Sequence, residues 1–180
     1  MQAIRTCYKG ILFRSKLEAQ WAKFFDCMRL PWMYEPEGYQ FSDGTRYLPD
    51  FYLPDSNQWF EVKGVINPTD EHKIKMLCME SGKDVIVGLP DGEFYMYDTQ
   101  LDGGALNVYS KTETYINQCL SCGKYSFMNS VGSFRCQVCG AYDGDGLIDW
   151  IMCGKKGSIY MDYNTETWRK LATIDVRFNK

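Results

Sequence analysis

The sequence predicts an α/β protein, a mixed sheet flanked by helices, followed by a small metal-stapled module. Three observations carry this expectation. An apolar face recurs at helical spacing near the N-terminus, short alternating segments punctuated by Pro, Gly, Asn and Asp fill residues 34–63, and two C-x-x-C pairs stand late in the chain.

The first helix is predicted to begin at Ser15. Leu17, Trp21, Phe24, Phe25 and Met28 fall at i, i+4, i+7, i+8 and i+11, Ser15 and Glu18 match an S-x-x-E capping box, and Leu30-Pro31 ends the element. Residues 34–41 then alternate aromatic with polar side chains, with Pro36 and Gly38 suggesting an edge or a bulge, and Asp43-Gly44 is a hairpin-type turn. Residues 47–53 are a second strand candidate, closed by Pro54-Asp55-Ser56-Asn57, and residues 58–63 a third. Residues 69–81 are predicted helical, with Ile74, Leu77 and Cys78 on one side and Gly82 as a stop. A fully buried strand over 83–89 and another over 93–98 follow. The order is helix, three strands, helix, strand, a mixed α/β sandwich. Residues 99–118 read as a boundary, so the chain divides into an α/β domain over 1–110 and a cysteine module with its tail over 111–180, the four cysteines lying at 119–139. The tail over 141–180 reads as strands and a helix.

Composition narrows the function classes. The 180 residues are 45% hydrophobic with 10 Phe, 5 Trp and 13 Tyr, enough for a true core and too apolar for a disordered chain. No apolar run nears the roughly 20 residues of a membrane span, and the charged N-terminus does not resemble a signal peptide, so a cytoplasmic protein is expected, or one in the host cytoplasm if phage-encoded. The single histidine, His72, makes His-dependent nuclease and hydrolase schemes poor candidates and leaves metal chemistry to carboxylates and thiolates. Segment charges of +2 over 1–48, −7 over 49–110 and +2 over 111–180 exclude a uniformly basic nucleic-acid coat.

The third strand candidate carries the chemistry. Residues two apart in an extended chain share a face, so Trp59, Glu61 and Lys63 face one way while Phe60 and Val62 face the other and fill the core. Asp50, after Pro49 on the preceding strand, is placed to stand opposite Glu61. Two carboxylates on neighbouring strands suit a hard cation such as Mg²⁺, and Lys63 beside them suits the orientation or deprotonation of an attacking water or the stabilisation of phosphate charge. An E-x-K triplet alone says little, and the second copy, Glu71-His72-Lys73, lies on a helix where i and i+2 do not share a face. Glu18 is explained equally well by capping and by a position facing the sheet. Arg14 and Lys16 are read as a solvated helix end rather than phosphate contacts, and His72 as a surface residue.

Glu18 on the first helix, Pro49-Asp50 and Glu61-Val62-Lys63, in that order, resemble the PD-(D/E)XK nuclease superfamily. Residues 13–19, 34–38 and 47–51 look similar to small phage and mobile-element nucleases of that superfamily, akin to junction-resolving and transposon end-cleaving endonucleases. The resemblance covers roughly residues 8–98. It implies a restriction-endonuclease-like α-β-β-β-α-β core with divalent-metal-dependent DNA cleavage. Asp50 and Glu61 would bind Mg²⁺ or Mn²⁺, Lys63 would be the catalytic lysine, and Glu18 would complete the site.

Cys119-x-x-Cys122-Gly123 and Cys136-x-x-Cys139-Gly140 form two knuckles with 13 residues between them. Four thiolates make a closed tetrahedral zinc site, and glycine after each pair permits the tight turn, so a structural zinc ribbon is expected. Disulfides conflict with a reducing compartment; a [4Fe–4S] cluster also takes four cysteines but is the weaker reading. Lys111, Lys124, Arg135, Lys155 and Lys156 are candidate phosphate contacts, Tyr125, Phe127 and Phe134 candidates for the ribbon's own small core, and Asp143-Gly-Asp145-Gly a plain turn. The expected function is a metal-dependent DNA endonuclease of phage or mobile-element DNA processing, acting on double-stranded or branched DNA. One site per chain and two strands to cut make a homodimer or a larger complex with a partner protein the expected assembly. The rivals are a non-catalytic nucleic-acid-binding or assembly protein on the same fold and an RNA-directed nuclease.

Overall fold

Residues 4–102, 105–129, 135–142 and 148–154 are described by the computed structural model of the chain. A short hairpin, β1 (Thr6–Tyr8) and β2 (Ile11–Phe13), precedes helix α1 (Lys16–Cys27). Five short strands follow: β3 (Met33–Tyr34), β4 (Tyr39–Gln40), β5 (Arg46–Tyr47), β6 (Phe51–Leu53) and β7 (Gln58–Val62). Helix α2 (Pro68–Ser81) leads to β8 (Val85–Gly88), β9 (Phe94–Asp102) and β10 (Ala105–Thr112), and then β11 (Thr114–Cys119), β12 (Tyr125–Asn129) and β13 (Ile148–Cys153) complete the described elements.

The main sheet has six strands in the order β10-β9-β8-β7-β6-β3. Only β7 and β8 pair in parallel, because α2 is the crossover between them; every other pair is antiparallel. Of the five strands between the helices, β3, β6 and β7 join this sheet, while β4 and β5 make a separate hairpin across the expected Asp43-Gly44 turn. The chain is thus mixed α/β, as expected, with few helices and one large sheet. None of the helices among the described residues is long and apolar enough to cross a membrane.

Each face of the sheet has its own core. On one side α1 buries Trp21, Phe24 and Phe25 against Phe51, Phe60, Ile86 and Met96. Trp21 and Phe25 meet the Phe60 ring at centroid distances of 4.7 and 4.8 Å, the latter edge-on. On the other side Ile74, Leu77 and Cys78 of α2 cover Trp59, Val85, Val87 and Tyr97. Trp21 and Phe60 leave no room above Gly88: a Cβ there would lie 2.5 Å from Phe60 and 2.6 Å from Trp21.

The face of β7 bearing Trp59 and Glu61 is covered by α2, and all five strand residues are buried. Strands β9, β10 and β11 occupy most of the stretch 99–118, and residue 110 falls inside β10. Two expectations are corrected. Phe127 does not pack a private ribbon core: with Ile116 it joins the α1-side core, at 5.5 Å from Phe60 and 5.2 Å from Phe94, and Tyr125 packs against the same cluster. The reciprocal capping box expected at Ser15 and Glu18 forms instead at Asn67 and Asp70 of α2. Phe134, Asp143, Asp145, Lys155, Lys156 and the tail helix lie outside the described residues.

Candidate active site and cysteine centre

Strand pairing brings Asp50 and Glu61 together. In the β6–β7 ladder Phe51 stands opposite Phe60, which sets Asp50 beside Glu61 at the same end of the sheet. The Asp50 amide donates to Glu61 Oε1 at 3.2 Å, and the Val62 amide donates to Asp50 Oδ2 at 2.8 Å. Glu61 is fully buried and Asp50 is 5% exposed. Lys63 follows β7 directly; its Nζ lies 2.9 Å from Glu61 Oε2 and 3.9 Å from Asp50 Oδ2.

Glu18 joins this group indirectly. The Ser15 hydroxyl accepts the Glu18 amide at 3.1 Å and donates to Glu18 Oε1 at 2.7 Å. The other carboxylate oxygen accepts from the Tyr34 hydroxyl at 2.6 Å and from the Arg14 amide at 3.2 Å. Glu18 therefore braces the Ser15 hydroxyl that caps the helix, without the reciprocal bond to the cap's own amide, while its other oxygen turns to Tyr34 of the sheet. Its link to Asp50 runs through Arg14, whose guanidinium bonds Asp50 Oδ1 at 2.8 Å and pairs with Glu35 at 2.6 Å.

Arg14 is thus no solvated helix end, and with Tyr34 and Tyr47 it is one of three site residues that the sequence reading missed. The Tyr47 hydroxyl donates a short hydrogen bond to Glu61 Oε2. An open groove of about 470 Å³, lined by Tyr39, Arg46, Tyr47 and Leu48 among others, lies alongside. His72, as expected, is a helix-surface residue bonded to Asp43.

The electrostatics follow from burial. Desolvation, and then the Glu61 charge, push the Asp50 carboxyl up to about 8, with Lys63 acting in the opposite sense. Burial alone would favour a neutral Lys63 amine, yet the Glu61 and Asp50 carboxylates outweigh it and raise the Lys63 pKa. Burial and the Glu61 carboxylate also raise Tyr47, which keeps its proton and remains a donor.

Glu18, Glu35, Asp50 and Glu61 set four carboxylates against two cations, Arg14 and Lys63, within one bonded network. An all-oxygen donor pair such as Asp50 and Glu61 is of the kind that hard divalent cations such as Mg²⁺ and Mn²⁺ take. The carboxylates are less tightly gathered than the cysteines, which form the one group of three or more ligand atoms within 4.8 Å of one another among the described residues.

That group is Cys119, Cys122, Cys136 and Cys139, as the spacing predicted. Sulfur separations of 3.7 Å for Cys119–Cys139 and 3.8 Å for Cys122–Cys136 match the about 3.8 Å edge of a tetrahedron with about 2.3 Å Zn–S bonds. The same distances are far beyond a disulfide bond. Both knuckle glycines take the left-handed conformation, at φ 72° for Gly123 and 74° for Gly140, and donate to the carbonyls of Cys119 and Cys136. The four cysteines can therefore hold a structural zinc.

No family model, no curated protein and no solved structure matches this chain.

Proposed function

We propose that the chain is a Mg²⁺- or Mn²⁺-dependent DNA endonuclease with a PD-(D/E)XK-type core and a structural zinc. The observation that carries this is the carboxylate pair Asp50 and Glu61 on adjacent strands with the Lys63 ammonium 2.9 Å from Glu61. Asp50 and Glu61 are the residues that would hold the catalytic cation. When bound, it supplies positive charge to the scissile phosphate and lowers the pKa of water.

Every other part belongs to the chain's own residues. Lys63, held as an ammonium by its two carboxylate neighbours, cannot accept a proton; it orients the attacking water and stabilises the charge developing on phosphate. Tyr47 fixes the Glu61 carboxylate from the far side, and Arg46 lends positive charge to the groove along which a phosphate backbone would lie. Arg14 and Tyr34 fix Glu18 relative to Asp50.

A non-catalytic nucleic-acid-binding role is the second reading. It is favoured by Arg14, whose guanidinium already pairs with the Asp50 carboxylate. A supercoiled-plasmid assay with Mg²⁺ or Mn²⁺ separates the two when run beside Lys63→Ala. Metal-dependent nicking that the variant loses supports the nuclease, and DNA binding without nicking in either metal supports the binder. Parallel single-stranded, branched and RNA substrates settle the target class.

A further inference from the structure

The end of the sheet opposite Lys63 carries a second polar cluster. Val85 pairs with both Trp59 and Tyr97, so the next residues outward on the three strands, Gln58, Asp84 and Asp98, come together at that end. With Ser56 and Gln137 they line a cavity of about 310 Å³ between the main sheet and the second cysteine knuckle.

Two acids alone would not make a site, but the oxygens around them are unusual. Gln58 is 1% exposed, and its amide nitrogen donates to the Phe127 carbonyl at 3.0 Å, which leaves its Oε1 buried without a hydrogen-bond partner. Ser56 is 5% exposed, and its Oγ likewise has no partner. A buried polar atom left unpaired is costly, so two of them on residues that line one cavity call for an occupant. An amide oxygen can only accept, and two carboxyls lining the same cavity add negative charge; the occupant this chemistry selects is positive.

We propose that Asp84, Asp98, Gln58 and Ser56 form a second divalent-cation site, of Ca²⁺ type, at the joint between the main sheet and the cysteine module. The wall is already braced for it. Thr99 donates its amide and hydroxyl to Asp84 Oδ1 at 3.1 and 3.2 Å, and Asn129 of β12 donates to Asp98 Oδ2 at 2.6 Å. Lys83, the cation among the described residues that line the cavity, also lies over two rings, its ammonium 5.6 and 5.9 Å from the Tyr52 and Trp59 ring centroids. Burial first, and the Asp98 charge after it, hold Asp84 up to about 6, the direction expected where two carboxyls share one place. Mixed neutral and anionic oxygens in a roomy cavity suit Ca²⁺, which takes six to eight ligands in irregular geometry, better than Mg²⁺, which demands a near-ideal octahedron. Because Gln58 and Asn129 tie this cavity to β12, the cation would clamp the cysteine module to the sheet. The site stands whether or not the chain cuts DNA.

The test is ⁴⁵Ca²⁺ equilibrium dialysis on the full, zinc-loaded chain carrying Asp50→Asn and Glu61→Gln, which silence the candidate active site. One Ca²⁺ per chain, with a rise in melting temperature on adding Ca²⁺, is the expected result. Adding Asp84→Asn and Asp98→Asn should weaken binding at least 100-fold; asparagine at 84 keeps the Thr99 bonds while removing the charge. Ser56→Ala should weaken binding several-fold and decides the matter if the double-asparagine chain fails to fold. Absence of stoichiometric Ca²⁺ in the parent, or binding unchanged by Ser56→Ala and by the asparagine pair, overturns the proposal.

Discussion

Asp50 and Glu61 are held crosswise: the amide of Asp50 donates to the Glu61 side chain, while the Asp50 side chain accepts the amide next after Glu61. Neither carboxylate can turn away without breaking a buried hydrogen bond on the neighbouring strand. The acidic pair is therefore positioned by the β6–β7 ladder before anything binds, so little reorganisation remains for the moment of reaction.

Tyr47→Phe tests how far Glu61 depends on its second donor. The ring survives while the hydroxyl is lost, so the variant should be destabilised by about 1 kcal/mol and cleave roughly tenfold more slowly. Single-turnover cleavage beside a thermal melt reads both. Full activity in Tyr47→Phe would remove this tyrosine from the site.

The raised Asp50 carboxyl predicts how the chain's stability varies with pH before a catalytic cation binds. In the fold it titrates near 8, against about 3.9 in an unfolded chain. Between these values the folded chain holds a proton that the unfolded chain has released, so stability falls as pH rises through that window. Asp84, held up to about 6 chiefly by burial, contributes with the same sign over the lower part. Zinc-loaded protein free of other divalent ions should melt several degrees lower at pH 8 than at pH 5, and Asp50→Asn should flatten the upper part of that decline. A melting temperature that climbs over this range contradicts the prediction.

Gly88→Ala places a methyl group against Phe60 and Trp21, neither of which can move in a core filled with rings. The expected cost is about 1–3 kcal/mol, visible as a lower urea midpoint with an unchanged slope. A midpoint equal to that of the parent would mean that the aromatic layer is looser than its contacts indicate.

Removing zinc should unfold more than the cysteine module. Ile116 and Phe127 sit in the same core as Phe60 and Phe94, so loosening β11 and β12 opens the α1 side of the main sheet. Calorimetry of zinc-loaded and Cys119→Ser protein should show one transition in each, the variant's about 10 °C or more lower. Two separate transitions, with the main one unmoved, would count against a shared core.

The parts legible in the sequence were those with a local period. The α1 face, the α2 stop at Gly82, the alternation that pairs Glu61 with Lys63 and the cysteine spacing can each be read within about twenty residues or fewer. Arg14, Tyr34 and Tyr47 had no such signal. They reach the site from three different elements, and only strand pairing and the packing of α1 bring them within bonding distance of Asp50, Glu18 and Glu61. The β1–β2 hairpin escaped because its strands are three residues each, too short for alternation to register. One clue was present and passed over. Trp59 beside Phe60 puts a large ring on each face of β7, which signals a strand covered on both sides.

That strand has a bearing on how this chain could change over generations. All five residues from Gln58 to Val62 are out of solvent. Trp59 fills one core, Phe60 and Val62 fill the other, Glu61 faces the lysine, and Gln58 reaches across to the Phe127 carbonyl. In a saturation library almost every replacement in this window would be lost, since no position there is free to drift without disturbing either packing or chemistry. Novelty in what the molecule recognises would have to enter through exposed segments such as the β4–β5 hairpin, while this five-residue span stays nearly frozen.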